Sequence, residues 1–526
     1  MTGLEELNDD ILFIVFQYLR REYSSILQDL RLVSWRLKDF AESQIYKDVI
    51  VGDDEDDIDV TNRFIERLTN SRDTLSRHVR NFTVASFEGD SSSSCLNTDL
   101  MVNLMQGFQG LTSFSWNVDT PMPRAVLDAF HTYHPNTRLC VKTKTFDPTL
   151  LSSPQLYYLD ISVACQNRFS SDTLSLFRRL KNILVQNRSM RVLVLDIHND
   201  PYFRKLSLSQ EDRGPLQFPF EPGDIMPPLE ELTIKAREYV FDKDHFQQWL
   251  HCMDWKKLRG LSFGLQHPTN LFASLINQTP KLHSLGFGYT GITWRPVPSP
   301  FNPGTHQSLN EEMVAPRQFI SSIEGLKELI ARFQTVHLDH PIWKDIAEKH
   351  GSSLRCLAIR EWNVYMANNR GLSQLHLLSL YFPSLRQLDI DMELKQLSNP
   401  VNPTSQICSL ASLTCLQHIK ISIQSNDDRG RALVDGEDSS FPRCLLTHLW
   451  NAFFDFDSAS ELISITLRFW QWQQNLMLRH DPNHGRIKQM FYTGIKPNHE
   501  LNMFVHKKSD HGSLYGAKFT DCDGIM

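Results

Sequence analysis

A short pattern recurs along this chain and limits the folds open to it: a leucine, two spacers, an apolar residue, one spacer and a second apolar residue. Leu156-Leu159-Ile161, Met190-Leu193-Leu195, Leu229-Leu232-Ile234, Leu258-Leu261-Phe263 and Leu282-Leu285-Phe287 carry it. Leu354-Leu357-Ile359, Leu385-Leu388-Ile390 and Leu416-Ile419-Ile421 continue it, and Leu111-Phe114-Trp116 is an earlier member. Val79-Phe82-Val84 and Phe333-Val336-Leu338 are weaker matches. Several copies follow a proline: Pro228 before Leu229, Pro280-Lys281 before Leu282, Pro383-Ser384 before Leu385. Helical periodicity fills the gaps, at Leu174–Val185, Phe319–Phe333, Trp343–His350 and Leu372–Phe382. Strand and helix then alternate at intervals mostly between 24 and 39 residues. Such a unit leaves an apolar face that only the next unit covers, so the core runs along the array. The expected fold class is α/β: an irregular solenoid with parallel strands on a concave face and helices outside.

This alternation resembles the leucine-rich repeats, in a long and uneven form that lacks the usual Asn after most strands. The expected solenoid spans 60–455, with insertions near 288–312 and 425–441, both polar and the first rich in Pro, Gly and Ser. Leu462, Ile465, Phe469, Trp472 and Leu476 recur at helical spacing, which predicts a capping helix over 456–482. Residues 483–526 read as a polar tail. An acidic run, Asp53 to Asp59, separates the repeats from residues 1–51 and reads as a solvated connection. As a calcium loop it fails, because Ile58 and Phe64 stand where Gly and Glu are required.

The first fifty residues have a different texture. Ile11, Leu12, Val15, Phe16 and Leu19 form one apolar stripe on a helix, with Asn8, Asp9 and Asp10 at its start. Leu27, Leu30, Val33, Leu37, Phe40 and Ala41 form a second. A unit this short has too little interior to bury two such faces, so some apolar surface meets a partner or the rest of the chain. The identities go further. Leu7, Ile11, Leu12, Val15, Phe16, Tyr18 and Leu19, then Leu30, Arg31, Leu32, Val33, Ser34, Arg36 and Leu37, then Ala41, Ile45, Tyr46, Lys47 and Val49 resemble the F-box. Two positions depart from that family: Asn8 replaces its proline, and its second-half aromatic is Leu37, with Trp35 two residues earlier. Degenerate repeat arrays of the present kind stand behind F-boxes in fungi and plants.

The resemblance implies a substrate-recognition subunit of a cullin-RING ubiquitin ligase of the Skp–cullin–F-box type. A Skp-family adaptor would dock on Leu7, Ile11, Leu12, Val15, Phe16, Leu19, Leu30, Val33 and Leu37, and through it a cullin and a RING subunit. The chain would do no chemistry; it would hold a protein substrate beside the transferring enzyme. On the concave face the outward strand positions are Arg355, Arg360, Arg386, Asp389, Asp391, His418 and Lys420, with Trp362 just beyond its strand. Arginines beside an exposed aromatic suit an acidic or phosphorylated peptide. The same sequence also accommodates a repeat scaffold acting outside any ligase, or an enzyme whose site has no recognisable motif.

Composition narrows the remainder. A formal net charge of -7 disfavours a general nucleic-acid or anionic-membrane surface. The nine cysteines form no CxxC pair and read as reduced thiols of a cytoplasmic or nuclear protein. The start is acidic where an export signal is basic, and no apolar run reaches membrane-spanning length. Phosphate-binding loops, HExxH and GxSxG are missing. His131/His134, His337/His340 and His480/His484 lack the ligands that would complete a metal site, so neither metal nor cofactor is expected.

Overall fold

The computed structural model describes residues 4–22, 24–52, 58–70, 75–85, 98–165, 171–199, 217–236, 239, 241–264, 269–289, 314–333, 338–361, 374–393, 409–424, 440–456, 462–474, 484–495 and 502–513. The chain divides into two compact units. One comprises Met1–Val163, Arg178–Asp196 and Asp224–Leu229; the other comprises Ala164–Phe177, Ile197–Gly223 and Glu230–Met526. Both are mixed α/β and solenoid-like, with parallel strands laid down in chain order.

The first unit opens with three helices, α1 (Asp9–Glu22), α2 (Ser24–Leu30) and α3 (Trp35–Ile45). Its strands are β1 (Asp48–Gly52), β2 (Asn81–Ala85), β3 (Ser113–Asn117), β4 (Arg138–Thr143), β5 (Leu156–Cys165) and β6 (Val192–Asn199). Helices α4 (Ile58–Thr69), α5 (Thr98–Gly107), α6 (Arg124–Tyr133), α7 (Pro148–Leu151) and α8 (Ser171–Gln186) connect them. Register explains the pattern in the sequence. Val49, Phe82, Phe114 and Leu139 are successive partners, and Val51, Val84, Trp116 and Val141 form the next row. All eight are buried, each contributing roughly 1.5–3 kcal/mol of transfer free energy. The helices cover these rows: Phe130 of α6 packs on Phe114 at 5.3 Å between ring centroids.

The second unit carries β7 (Glu231–Ala236), β8 (Gly260–Ser262), β9 (Ser284–Tyr289), β10 (Glu328–Phe333), β11 (Cys356–Glu361), β12 (Gln387–Glu393), β13 (His418–Gln424) and β14 (Ser464–Gln474), all parallel. Two antiparallel strands follow, β15 (His484–Ile495) and β16 (Asn502–Ser513). The described helices are α9 (Lys243–Cys252), α10 (Thr269–Leu275), α11 (Val314–Ser322), α12 (Pro341–His350), α13 (His376–Tyr381) and α14 (Ser440–Phe456). Leu285, Leu329, Leu357, Leu388, Ile419 and Ile465 make one continuous buried row.

Several expectations are corrected. Phe319–Phe333 is not one helix; α11 ends at Ser322 and β10 begins at Glu328. The repeat in that region is therefore Leu326-Leu329-Ala331, all buried, and not Phe333-Val336-Leu338. The cap expected as a helix over 456–482 is strand β14, because Leu462, Ile465 and Leu467 are one more copy of the strand pattern and lie buried in register with Ile419 and Ile421. The 483–526 tail contains β15 and β16, with 514–526 outside the described residues. Of the insertion near 425–441, residues 440 and 441 begin α14 and 425–439 lie outside the described residues. Most of the 288–312 insertion and of the acidic run lies outside them too. Among the described residues no helix is long and apolar enough to cross a membrane. Cys140, Cys252, Cys356, Cys415 and Cys444 form no disulfide.

Buried imidazoles bracket consecutive helices. His134, after α6, donates from Nε2 to the Met105 carbonyl of α5 at 2.6 Å. His350, closing α12, does the same to Ile320 of α11 at 2.9 Å, and its Nδ1 has no hydrogen-bond partner. In the second unit Tyr239 donates to His245 Nε2 at 2.7 Å, and Trp249 Nε1 donates toward both at 3.0 and 3.1 Å. His245 Nδ1 donates to Gln248 Oε1 at 3.2 Å, completing a neutral ring. Burial holds His245 and His350 below the ordinary imidazole value of 6.5, as it does His78, His131, His283 and His418. The unfolded chain therefore takes up protons first. Stability is full above about pH 6.5 and falls as the pH drops from there toward the lowered folded values. A urea midpoint that is lower at pH 5.5 than at 7.5 is expected; an equal or higher one contradicts the buried-neutral assignment.

Candidate functional site: the outer face of the N-terminal helices

Helix α1 starts at Asp9 because Asn8 caps it, accepting from the Asp10 amide through Oδ1 at 2.7 Å. Asp9 and Asp10 then favour the positive end of the helix. Ser34 caps α3 in the same way, accepting from the Leu37 amide at 3.3 Å. Arg36 fastens the two helix starts together, donating to the Leu7 carbonyl at 2.7 Å and to Asp9 at 2.5 Å. At the other end Arg20 pairs with Asp48 of β1, which also receives Asn81 of β2. Burial of the Asp48 carboxyl is outweighed by the bonds from Asn81 and Arg20, which hold it below the usual carboxylate value.

The three helices close on a small core of Leu12, Phe16, Leu27, Leu37 and Ala41. Leu7, Leu19 and Leu30 are half-buried against it, and Phe40 lies 5.9 Å from Phe16 between ring centroids. This revises the docking set. Leu12, Phe16 and Leu37 face inward and are sealed by their own chain, so no partner reaches them. Of the nine residues, Ile11 and Val33 are exposed and Val15 is half-exposed.

The accessible surface is instead made of residues on the flanks of the expected stripe. Ile11, Ile14 and Tyr18 are 47, 59 and 57% exposed, and Phe13 and Ile26 are exposed as well. At about 100° per residue, the apolar arc of α1 runs from Ile14 past Tyr18, Ile11, Val15, Leu19 and Leu12 to Phe16, roughly 200°, with Phe13 beyond Asp9 and Arg20. A helix packed on one side needs an arc of only about 100°. The corner between α2 and α3 adds Leu32, Val33 and Trp35 at 78, 65 and 83% exposure. A wheel drawn with Ile14 included would have shown the excess.

The second candidate surface is less coherent. Arg386 donates its amide to the Arg355 carbonyl at 2.8 Å, so these arginines are neighbours just ahead of β12 and β11. The Arg355 guanidinium is turned to the Ser384 carbonyl at 3.3 Å, and Arg386 is exposed. Asp389 and Asp391 stand on β12 beside Lys420 and Ser422 of β13. Asp389, expected to face solvent, is buried, and His418 Nδ1 is hydrogen-bonded to Ser464 Oγ at 2.8 Å. Acids interleaved with bases give this face a mixed sign, unlike the basic surface expected for an acidic ligand. The Arg360 side chain and Trp362 lie outside the described residues. Among the described residues no three His, Cys, Asp or Glu side chains gather to hold a metal. No family model matches the chain, and no curated protein matches it.

Proposed function

We propose that this chain is the substrate-recognition subunit of a cullin-RING ubiquitin ligase. Helices α1–α3 act as its F-box and dock a Skp-family adaptor, which brings the cullin and RING subunit, and the strand-helix array, read as degenerate leucine-rich repeats, holds a protein substrate. One observation carries the reading: Ile11, Ile14 and Tyr18 expose a continuous apolar face on a helix whose opposite side is already buried. Exposed contiguous apolar surface on a small helical unit marks an interaction site. The F-box-like residues supply its identity, and the split between inward Leu12, Phe16, Leu37 and outward Ile11, Val33 fits a unit that folds first and docks second. The chain itself contributes proximity and no bond-making group.

Ile14→Asp combined with Tyr18→Asp tests this. Each change removes an apolar contact and places a charge in the interface, together costing on the order of 4 kcal/mol, roughly a thousandfold in Kd. Co-purification with adaptor and cullin is expected to fail while the chain stays folded. Undiminished adaptor recovery contradicts the docking face. Recovery of adaptor without cullin from the unaltered chain favours a scaffold acting outside a ligase.

A further inference from the structure

We infer that the second unit carries a basic ladder along the starts of β8 to β12, and that it takes an extended run of aspartates and glutamates of the protein substrate. The inference rests on the proposed role of the array as substrate platform. Backbone bonding builds the ladder. The residue just ahead of each strand offers its carbonyl to two amides of the next repeat. The Arg259 carbonyl accepts from His283 and Ser284, that of His283 from Lys327 and Glu328, and that of Lys327 from Arg355 and Cys356. The Arg355 carbonyl then accepts from Arg386 and Gln387. Five consecutive repeats thus bring a basic residue to the same place: Arg259, His283, Lys327, Arg355 and Arg386. On the same bonds Glu230 precedes the row and Gln417 follows it.

Strands lie about 4.8 Å apart, so the row is roughly 19 Å long, the reach of about six extended residues. Like charges on neighbouring strands repel, and the fold asks only for a polar residue here, since the leucine before each base makes the core. The cations are open to a ligand. Arg259, Lys327 and Arg386 are exposed, and His283 and Arg355 are half-buried. Among the described residues Lys327, Arg355 and Arg386 form no ion pair; the Arg355 guanidinium meets the Ser384 carbonyl. Arg259 approaches Glu230 at 3.7 Å with both side chains more than a third exposed, a contact that an incoming carboxylate can displace. The next row inward, Gly260, Ser284, Glu328, Cys356 and Gln387, holds one acid. The mixed sign of the strand face, set by Asp389 and Asp391 against Lys420, therefore lies deeper than the ladder. Shape selects the ligand. Phosphates are read by arginines clustered on one point, whereas one cation per step suits successive carboxylates. Single-stranded nucleic acid needs aromatic faces for its bases, and the described exposed aromatics, Phe13, Tyr18, Trp35 and Tyr133, all belong to the first unit.

The experiment titrates the full chain into a fluorescent octaglutamate peptide and reads anisotropy at low and high salt. Lys327→Glu combined with Arg386→Glu is expected to weaken binding about tenfold or more, and high salt should weaken it too. Arg124→Glu, an exposed charge reversal in the first unit, should stay within about twofold. The thermal midpoint of the ladder variant should not fall, since neither side chain has an ion-pair partner to lose. No binding by the unaltered chain, or affinity that the ladder variant leaves unchanged, overturns the inference. A phosphopeptide or an oligothymidylate of equal charge that binds through the same residues about tenfold tighter than octaglutamate overturns it as well. Adaptor capture is measured on the same proteins. Captured adaptor with ladder-independent peptide binding defeats this inference and leaves the ligase proposal standing. Ladder-dependent binding by a chain that captures no adaptor supports the surface and defeats the ligase proposal alone.

Discussion

Leu12→Asp together with Phe16→Asp is expected to unfold the N-terminal helices, and adaptor capture should be lost for that reason alone. Both side chains are fully buried in the five-residue core. Truncating a buried Phe costs about 3–5 kcal/mol. A carboxylate in its place adds the penalty of an unpaired buried charge, several kcal/mol more. The total exceeds what a unit of this size holds in reserve. Hydrogen exchange should show amide protection across Asp9–Ile45 collapsing, with protection in β7 to β14 unchanged. Ile14→Asp with Tyr18→Asp should lose capture with that protection intact. The contrast separates a broken fold from a blocked surface, and retained protection in the buried double variant would refute the placement of these side chains.

The inward and outward roles were only half legible in the sequence, for a physical reason. Ile11, Leu12, Val15, Phe16 and Leu19 share one stripe on a wheel, and periodicity reports that a stripe is apolar without saying what covers which edge. Coverage depends on where α2 and α3 cross it. Leu27, Leu37 and Ala41 arrive on the Leu12–Phe16 side and leave Ile11, Ile14 and Tyr18 uncovered.

The strands were far more legible, because each copy must place its leucines in one register-aligned row. Leu357, Leu388 and Ile419 are such a row. Misreadings fell where two periods share a spacing. Ile323, Leu326 and Leu329 step by three, which suits a helix, yet the helix ends at Ser322, the chain bends at Glu324 and the step from Leu329 to Ala331 is two. Leu462, Ile465 and Phe469 likewise suit a helix until Leu467 is counted; Ile465 and Leu467 then form the buried row of β14. Strand β4 went unnoticed because Arg138 and Lys142 alternate with Leu139, Val141 and Thr143 without the leading leucine. For the strand face, alternation predicted outward side chains, and Asp389 shows that an outward position need not be a wet one.

Charges inside the first unit give the second large effect. Lys181 of α8 and Asp224 meet at 3.0 Å, with side chains 3 and 13% exposed. The pair is costly to assemble and more costly to break, because removing one partner takes a countercharge at 3.0 Å away from a charge in a poorly solvated place. Lys181→Met keeps most of the aliphatic stem and removes the ammonium. It is expected to destabilise by about 3 kcal/mol, the low end of the range for broken buried pairs, since Asp224 retains a little water. Adding Asp224→Leu should restore most of the loss, as a packed apolar pair replaces an ionic one at near-equal stability. Urea midpoints of the single and double variants decide it. Additive losses would mean that the two residues act through separate neighbours, whereas recovery in the double variant identifies the buried carboxylate's lost ammonium as the cause.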